Sequence, residues 1–172
     1  MVAILEIKNI QLYNGNCLEI MDKLIEAGIK VDLIITDPPY QKTKNKWDYV
    51  IPFDDMWNRL KKLRKDNTPI ILFGQGIFSA KLILSNEEEY RYSLIWNKEH
   101  PSVMVHPTQK PVELLEYLIK TYSNEKSLVL DFTMGSGSTG IACKNLNRNF
   151  IGIEIDKDYF KLAINRLEVR NE

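Results

Sequence analysis

The sequence predicts an α/β fold: a doubly wound, mostly parallel sheet with helices on both faces. Short runs rich in β-branched residues alternate with longer segments in which apolar residues recur at helical spacing. This alternation is typical of a parallel sheet covered by helices. The length of 172 residues and the hydrophobic content of 44% suit one compact core and leave no room for a second large domain. We therefore expect a single domain over residues 1–172.

The first part of the chain alternates strands with helices. Gly28 ends the first helix, and Pro38 and Pro39 force the chain out of the sheet directly after the second strand. Pro52 marks the start of the second helix, because proline is favoured there. The predicted strands are residues 10–14, 31–36, 69–73 and 92–96, and the predicted helices run through residues 18–25, 53–63 and 77–85.

The second part repeats this pattern after a proline-rich stretch. The predicted elements are a helix at 111–122, a strand at 127–131, a helix at 138–146, a strand at 150–155 and a last helix from Asp156. The alternation is thus maintained to the end of the sequence.

The composition excludes several classes of protein. Lys and Arg together number 23, as do Asp and Glu, so any nucleic-acid contact must be a local basic patch rather than a global positive field. No stretch approaches the roughly 18 apolar residues of a membrane span. Cys17 and Cys143 lack the spacing of a metal site or of a disulfide framework. We expect a soluble, cytoplasmic protein with two reduced, structural thiols.

A glycine-rich run after the strand at 127–131 predicts a nucleoside-binding loop. Gly135, Gly137 and Gly140 spell GxGxxG, and Glu154 lies near the end of the next strand. Such glycines let the backbone approach a ligand closely, and the carboxylate can accept two ribose hydroxyl protons. Dinucleotides and S-adenosylmethionine both need this arrangement, so the glycines leave both open. The alternative is a tight strand-to-helix turn that binds no ligand. Glu154 would then simply lie near a helix start, where the helix dipole favours an acidic residue.

The run Asp37-Pro38-Pro39-Tyr40 lies directly beyond a predicted buried strand, where open α/β sheets place their ligands. An exocyclic amine of adenine or cytosine is a poor nucleophile because its lone pair is delocalised into the ring. The Asp37 carboxylate and the Pro38 carbonyl can grip both N–H bonds, which favours a pyramidal nitrogen. Pro38 and Pro39 remove backbone donors, and Tyr40 offers a face on which a flipped base can stack. Taken alone, the run is equally compatible with a stiff turn.

The order of these motifs resembles that of the amino-methyltransferases that modify adenine N6 or cytosine N4 in DNA. The chain is similar to the permuted class, in which the catalytic run precedes the cofactor loop and the run at 106–111 comes just before the cofactor half. The resemblance implies a Rossmann-like, S-adenosylmethionine-dependent domain with a catalytic half at 1–97, a shortened loop at 98–110 and a cofactor-binding half at 111–172. Asp rather than Ser at position 37, the first residue of the catalytic run, favours adenine N6 as the methylated group, with cytosine N4 as the alternative.

The resemblance also implies individual roles. Glu154 would hold the ribose, and Thr108 and Lys110 would border the methionine end of the cofactor. Asn16 would face the adenine, where relatives usually carry Asp; it keeps an acceptor but loses the charge. The catalytic residues implied are Asp37, Pro38, Pro39 and Tyr40. The implied cofactor-binding residues are Asn16, Asp37, Thr108, Lys110, Asp131, Phe132, Gly135, Ser136, Gly137 and Glu154.

DNA is the expected partner. A lysine-spaced loop that ends in an aromatic residue follows the catalytic run and suits phosphate contact, although surface lysines are often merely solvated. The expected DNA-binding residues are Lys42, Lys44, Lys46 and Trp47. No metal is expected, because no Cys, Asp or Glu completes a ligand set near His100 and His106.

The class usually carries an extended target-recognition segment between positions equivalent to Trp96 and His106, and here that segment is essentially missing. An internal deletion that joined two similar stretches would explain it. A homodimer or a separate partner is therefore expected to supply target recognition. The alternatives to an active enzyme are a catalytically weak or inactive remnant that lacks recognition and a nicotinamide-linked oxidoreductase, which the glycine loop permits but Asp37 to Tyr40 does not explain.

Overall fold

A computed structural model of the chain describes residues 3–40, 49–97 and 109–168. Strands and helices alternate through most of these residues, as the sequence predicts. The strands are β1 (Ala3–Ile7), β2 (Ile10–Asn14), β3 (Leu33–Thr36), β4 (Ile70–Leu72), β5 (Leu128–Asp131) and β6 (Asn149–Glu154). The helices are α1 (Cys17–Glu26), α2 (Phe53–Leu63), α3 (Ile77–Leu84), α4 (Val112–Tyr122), α5 (Ser138–Asn145) and α6 (Lys157–Glu168), with a short 3-10 turn at Glu87–Glu89.

The strands form one mostly parallel sheet in the order β1-β2-β6-β5-β3-β4. Only the β1–β2 pair of this sheet is antiparallel; β2, β6, β5, β3 and β4 run in the same direction. The carboxyl ends of these five strands therefore meet at one edge, where sheets of this kind bind their ligands. The predicted α/β class is confirmed.

Helices cover both faces of the sheet, and the strand β3 shows why. Alternate residues of a strand point to opposite faces, and Ile34 packs in one hydrophobic core whereas Leu33 and Ile35 pack in the other. The first core is completed by α1, α2 and α3, and the second by α4, α5 and α6. All four residues of β3 are buried, which explains its uninterrupted apolar run.

The strand predicted at 92–96 is wrong. Residues 91–97 have no regular secondary structure, and Ile95 is 94% exposed. Its composition favours a strand, but a strand needs a neighbour for its backbone hydrogen bonds. Within the described part of the chain β4 pairs only with β3, so the segment lies outside the sheet despite its Tyr, Ile and Trp residues.

β1 was not predicted from the sequence. This strand forms a hairpin with β2 in which Ile7 pairs with Ile10, so that Lys8 and Asn9 make a two-residue turn. Lys8 adopts a positive φ of 52°, as such turns require. Because the turn carries no glycine, the strongest sequence signal for a hairpin is missing.

Both cysteines are buried and free, as predicted. Burial raises the pKa of Cys17 to about 11 and raises that of Cys143 further, so both thiols are protonated at neutral pH and serve as packing residues. No helix within the described ranges is long and apolar enough to cross a membrane.

Candidate active site

Two motifs lie side by side at the carboxyl edge of the sheet. β3 ends at Thr36 and leads into Asp37-Pro38-Pro39-Tyr40, while β5 ends at Asp131 and leads into the glycine loop. The two strands are direct neighbours, with Leu33 opposite Val129. Chain topology therefore brings together motifs that are about 95 residues apart in the sequence.

Threonine hydroxyls connect the two motifs. The Thr133 hydroxyl donates to the Asp37 carbonyl at 3.1 Å and lies 2.7 Å from the Thr36 hydroxyl. Thr36 in turn donates to the buried Asp131 carboxylate at 2.6 Å, which also accepts from the Thr133 backbone N–H at 3.1 Å and from the Thr139 hydroxyl at 2.6 Å. This network fixes the backbone of Asp37 relative to the glycine loop.

The Asp37 carboxylate has a charged partner and a phenolic one. Its Oδ1 accepts a hydrogen bond from the Tyr40 hydroxyl, and its Oδ2 accepts from the Lys110 ammonium. The Asp37 and Lys110 side chains are only 22% and 18% exposed, so water screens the ion pair less than it would on an open surface. The Lys110 Nζ also lies 4.9 Å from the centre of the Phe73 ring, within the range of a cation–π contact.

The Tyr40 ring is held in place from two directions. It packs against Phe78 with a centroid distance of 4.6 Å and an interplanar angle of 39°, and its hydroxyl is bonded to Asp37. Burial, followed by the nearby Asp37 charge, raises the pKa of Tyr40 well above its usual value, so the phenol remains a donor. The ring is thus oriented before any ligand arrives.

The glycines of the loop serve different purposes. Gly135 has a φ of 53°, and a Cβ at this position would meet nothing within 4 Å, which leaves the space beside its backbone open. Gly137 has a φ of 80°, but its added Cβ would lie 2.9 Å from the Ala163 Cβ in α6. Gly135 is therefore suited to close approach by a ligand, whereas Gly137 is required for packing between the loop and α6.

Glu154 lies at the end of β6, next to the glycine loop. Its two carboxylate oxygens accept backbone hydrogen bonds of 2.8 Å from Gly135 and Asp156. Glu154 is 8% exposed, and this burial is the main reason that its pKa is raised to about 7. Each oxygen retains a second lone pair, so the carboxylate can also accept from the hydroxyls of a ribose. The N–H bonds fix its orientation for that role.

Other residues predicted to bind a cofactor are engaged within the protein. Asn16 caps α1, and its side-chain oxygen accepts from the Leu18 N–H at 2.9 Å. The Asp131 carboxylate faces the threonine network, and Phe132 is buried in a hydrophobic core. The Ser136 hydroxyl accepts from Arg166 at 2.8 Å and donates to Gln109 Oε1 at 3.2 Å. These contacts leave any cofactor role of the four residues as a prediction.

Five predicted residues lie outside the described ranges, namely Lys42, Lys44, Lys46, Trp47 and Thr108. Sequence reasoning missed the threonines that join the motifs, and it missed Phe73 beside Lys110 and Phe78 beside Tyr40. Thr36 and Phe73 could have been found, because each lies at or just beyond the carboxyl end of a strand. The roles of Gln109 and Arg166 depend on tertiary packing and carry no local signal.

No group of His, Cys, Asp and Glu within the described residues is arranged to hold a metal ion.

The fold is that of an α/β domain with the catalytic run and the glycine loop side by side at its ligand-binding edge, and comparison with known proteins identifies the family. Residues 64–165 match the model of the N6/N4 methyltransferase family, described as DNA methylase. The structure of M1.HpyAVI in complex with SAM is similar, with a TM-score of 0.72 and 30% identity, over 92% of this chain and 100% of that chain. The protein belongs to the N6/N4 DNA methylase family.

Curated proteins that are similar to this chain include type II methyltransferases, and the matching segments differ in length. Type II methyltransferase M2.DpnII of Streptococcus pneumoniae is 51% identical over 67 residues, which are 39% of this chain and 25% of the relative. Type II methyltransferase M2.MboI of Moraxella bovis is 25% identical over 241 aligned positions, covering 92% of this chain and 88% of the relative. The chain spans only about a quarter of the length of the first curated relatives that it matches.

M2.MboI is much longer than this chain within the aligned region. The alignment runs over 241 positions, whereas 92% of the 172 residues of this chain is about 158 residues. About 80 aligned positions of the relative therefore have no counterpart in this chain. The relative carries extra sequence between segments that the two proteins share.

Proposed function

We propose that this protein transfers a methyl group from S-adenosylmethionine to the exocyclic amine of a DNA base, with adenine N6 favoured over cytosine N4. The observation that carries the proposal is the contact between the Asp37 backbone and the glycine loop through Thr133, at 3.1 Å. A nucleoside cofactor at the glycine loop would lie next to a run whose acceptors suit an amine. Membership of the N6/N4 DNA methylase family supports the same chemistry.

The residues around the glycine loop fit S-adenosylmethionine. The open space beside Gly135 permits close approach to the backbone, and Glu154 presents a fixed, buried carboxylate for the ribose hydroxyls. Lys110 follows Gln109, which accepts a hydrogen bond from Ser136 of the glycine loop, and its ammonium can pair with the carboxylate of the amino-acid end. When bound, this cofactor supplies an electrophilic methyl group on a positively charged sulfur.

Asp37 and Pro38 act on the amine of the target base. One oxygen of the Asp37 carboxylate and the Pro38 carbonyl each accept an N–H bond, which makes the nitrogen lone pair available for attack. Tyr40, held by Phe78 and by its bond to Asp37, provides the face on which the flipped base stacks. The surplus amine proton leaves through Asp37 or directly to solvent. The ring and the acceptors together position the amine toward the glycine loop.

Binding of the duplex requires further contacts. Lys42, Lys44, Lys46 and Trp47 directly follow the catalytic run in the sequence and would contact DNA phosphates. About 80 positions of M2.MboI are missing from this chain, and a second copy or a separate partner would supply the reading of base edges. On this proposal residues 1–172 form one methyltransferase domain that depends on additional surface for sequence recognition.

The test is methyl transfer from labelled S-adenosylmethionine to unmodified duplex DNA. We expect label on DNA with the wild type and with Asp66→Asn, which alters an exposed aspartate, and none with Asp37→Asn. Digestion to nucleosides and chromatography should place the label on N6-methyladenine. Binding of the cofactor without transfer of label would contradict the proposed activity, tighter binding of NAD would favour an oxidoreductase, and label on N4-methylcytosine would reverse the adenine assignment.

A further inference from the structure

Both oxygens of the Asp37 carboxylate are already engaged in this structure. Oδ1 accepts from Tyr40, and Oδ2 accepts from Lys110. A target amine that is to donate to this carboxylate must displace one partner or share an oxygen with it. The Tyr40 ring is pinned by Phe78 at a centroid distance of 4.6 Å, whereas Lys110 is a long side chain with several rotatable bonds. Lys110 is therefore the partner that is able to move.

Lys110 lies between the two motifs of the site. The preceding residue, Gln109, accepts a hydrogen bond of 3.2 Å from Ser136 in the glycine loop, and Lys110 itself reaches Asp37. The cation also lies 4.9 Å from the centre of the Phe73 ring, a contact that does not require Asp37. The ammonium thus has a second stabilising neighbour besides Asp37, on the β4 side of the catalytic run.

Resting on the proposed function, we propose that Lys110 is a positioning residue that exchanges one carboxylate for another. Its ammonium pairs with Asp37 in the protein without cofactor, and with the carboxylate of S-adenosylmethionine when that cofactor is bound. An ammonium has three N–H donors, but two carboxylates drawn to it repel each other, which weakens each contact. Asp37 and the cofactor carboxylate therefore compete for Lys110.

The exchange links cofactor binding to the state of Asp37. As Lys110 moves away, Asp37 Oδ2 becomes available to accept an N–H from the target amine. Before that movement the amine would have to share Oδ2 with the ammonium, so the base is held best in the protein that already holds the cofactor. Because coupling between two sites is reciprocal, any change that releases Lys110 from Asp37 must also strengthen binding of the cofactor.

Competition for Lys110 predicts that a change at Asp37 tightens the binding of the cofactor, whereas the loss of a favourable contact would weaken it. Asp37→Asn removes the carboxylate that competes for Lys110, so it should tighten the binding of S-adenosylmethionine by about fivefold. Lys110→Met should weaken this binding by about tenfold or more. In the Lys110→Met background, Asp37→Asn should change the affinity by less than about twofold, because there is no ammonium to compete for.

Isothermal titration calorimetry of the purified full chain measures these affinities without any need for catalysis. S-adenosylmethionine is compared with its decarboxylated analogue, which lacks the carboxylate and should bind equally to the wild type and to Asp37→Asn. Lys120→Met, which removes an exposed lysine from α4, is the control for loss of one positive charge and should leave both affinities unchanged. Thermal unfolding of each variant checks that the fold is retained.

The outcomes separate this inference from the proposed function. Tightening by Asp37→Asn that is confined to S-adenosylmethionine and requires Lys110 supports the exchange. Equal tightening for the decarboxylated analogue, tightening that persists in Lys110→Met, or no tightening at all would overturn it, even if the wild type methylates DNA. Absence of methyl transfer with the coupling intact would instead count against the proposed function alone.

Discussion

Asp37 and Asp131 are two aspartates at the carboxyl ends of neighbouring strands, yet their surroundings differ completely. Asp37 is partly exposed and contacts the Lys110 ammonium and the Tyr40 phenol. Asp131 is 4% exposed, and its carboxylate accepts from two threonine hydroxyls and a backbone N–H. Burial is the largest cause that raises the pKa of Asp131 to about 6.

On the proposed function, one residue type has two roles at one sheet edge. Asp37 would accept an amine N–H, which requires access, and its side chain is 22% exposed. A carboxylate that holds two loops together needs neutral, fixed donors, and Asp131 has those. Environment rather than residue type would then separate the reacting Asp37 from the supporting Asp131.

The largest effect is expected from Asp37→Asn on the rate of methyl transfer. The variant keeps one acceptor but loses the charge that favours the reacting amine, so the single-turnover rate should fall about a thousandfold. The free energy of unfolding, measured by urea titration, should change by about 1 kcal/mol or less, because the side chain is not part of the core. A rate within about tenfold of the wild type would show that Asp37 is not central to the chemistry.

The glycine loop repeats the comparison between ligand contact and packing. Gly137→Ala should lower the free energy of unfolding by about 3 kcal/mol, because it adds overpacking against Ala163 to the cost of a left-handed Ala. Gly135→Ala should cost only about 1 kcal/mol, because its Cβ enters open space, while weakening cofactor affinity. Urea unfolding and calorimetry measure the two quantities. Similar stability losses in both variants would contradict the distinction.

Sequence patterns predicted most of the fold because burial on both faces of the sheet leaves a direct signal. The apolar run at β3 and the glycine loop after β5 follow from periodicity and turn chemistry. The strand predicted at 92–96 was wrong for the opposite reason: the composition of this segment favours a strand, but sheet membership depends on a neighbour that local sequence does not specify. β1 was missed because its turn uses Lys8 and Asn9 rather than glycine.

The position of the candidate site was predictable, but its connections were not. Asp37 and Gly135 follow strand ends and Glu154 is the last residue of β6, and the carboxyl ends of parallel strands meet at one edge of the sheet. The contact of Lys110 with Asp37 and the threonine network depend on side-chain packing across 70 to 100 residues of sequence. No spacing rule encodes such pairs.

The buried Asp131 should make stability depend on pH. Its pKa is about 6 in the folded protein, above the usual 3.8, so the folded state holds the proton more tightly than the unfolded state. Its contribution is fully retained below about pH 4 and is lost as the pH rises to about 6, a loss of about 3 kcal/mol. Asp131→Asn, which does not titrate, should remove this dependence.

Urea titrations of the wild type and Asp131→Asn from pH 4 to 8 measure the difference. Glu154→Gln serves as the comparison, because the pKa of Glu154 is also raised, to about 7, and its own contribution should be lost at slightly higher pH. A wild-type stability that rises from pH 4 to 6 relative to Asp131→Asn would mean that the folded protein favours the charged form of Asp131.

The smallest effect is expected from Tyr40→Phe, which tests the hydrogen bond between the Tyr40 hydroxyl and Asp37. The variant keeps the ring against Phe78 but loses the hydroxyl that donates to Asp37 Oδ1, so the rate should fall by about fivefold, the value of one hydrogen bond of about 1 kcal/mol. Tyr40→Ala also removes the stacking face and should cost about tenfold more. Single-turnover rates with saturating cofactor separate these contributions. If the two variants were equally slow, the hydroxyl rather than the ring would be the important part of Tyr40, and Tyr40 would serve mainly to orient Asp37.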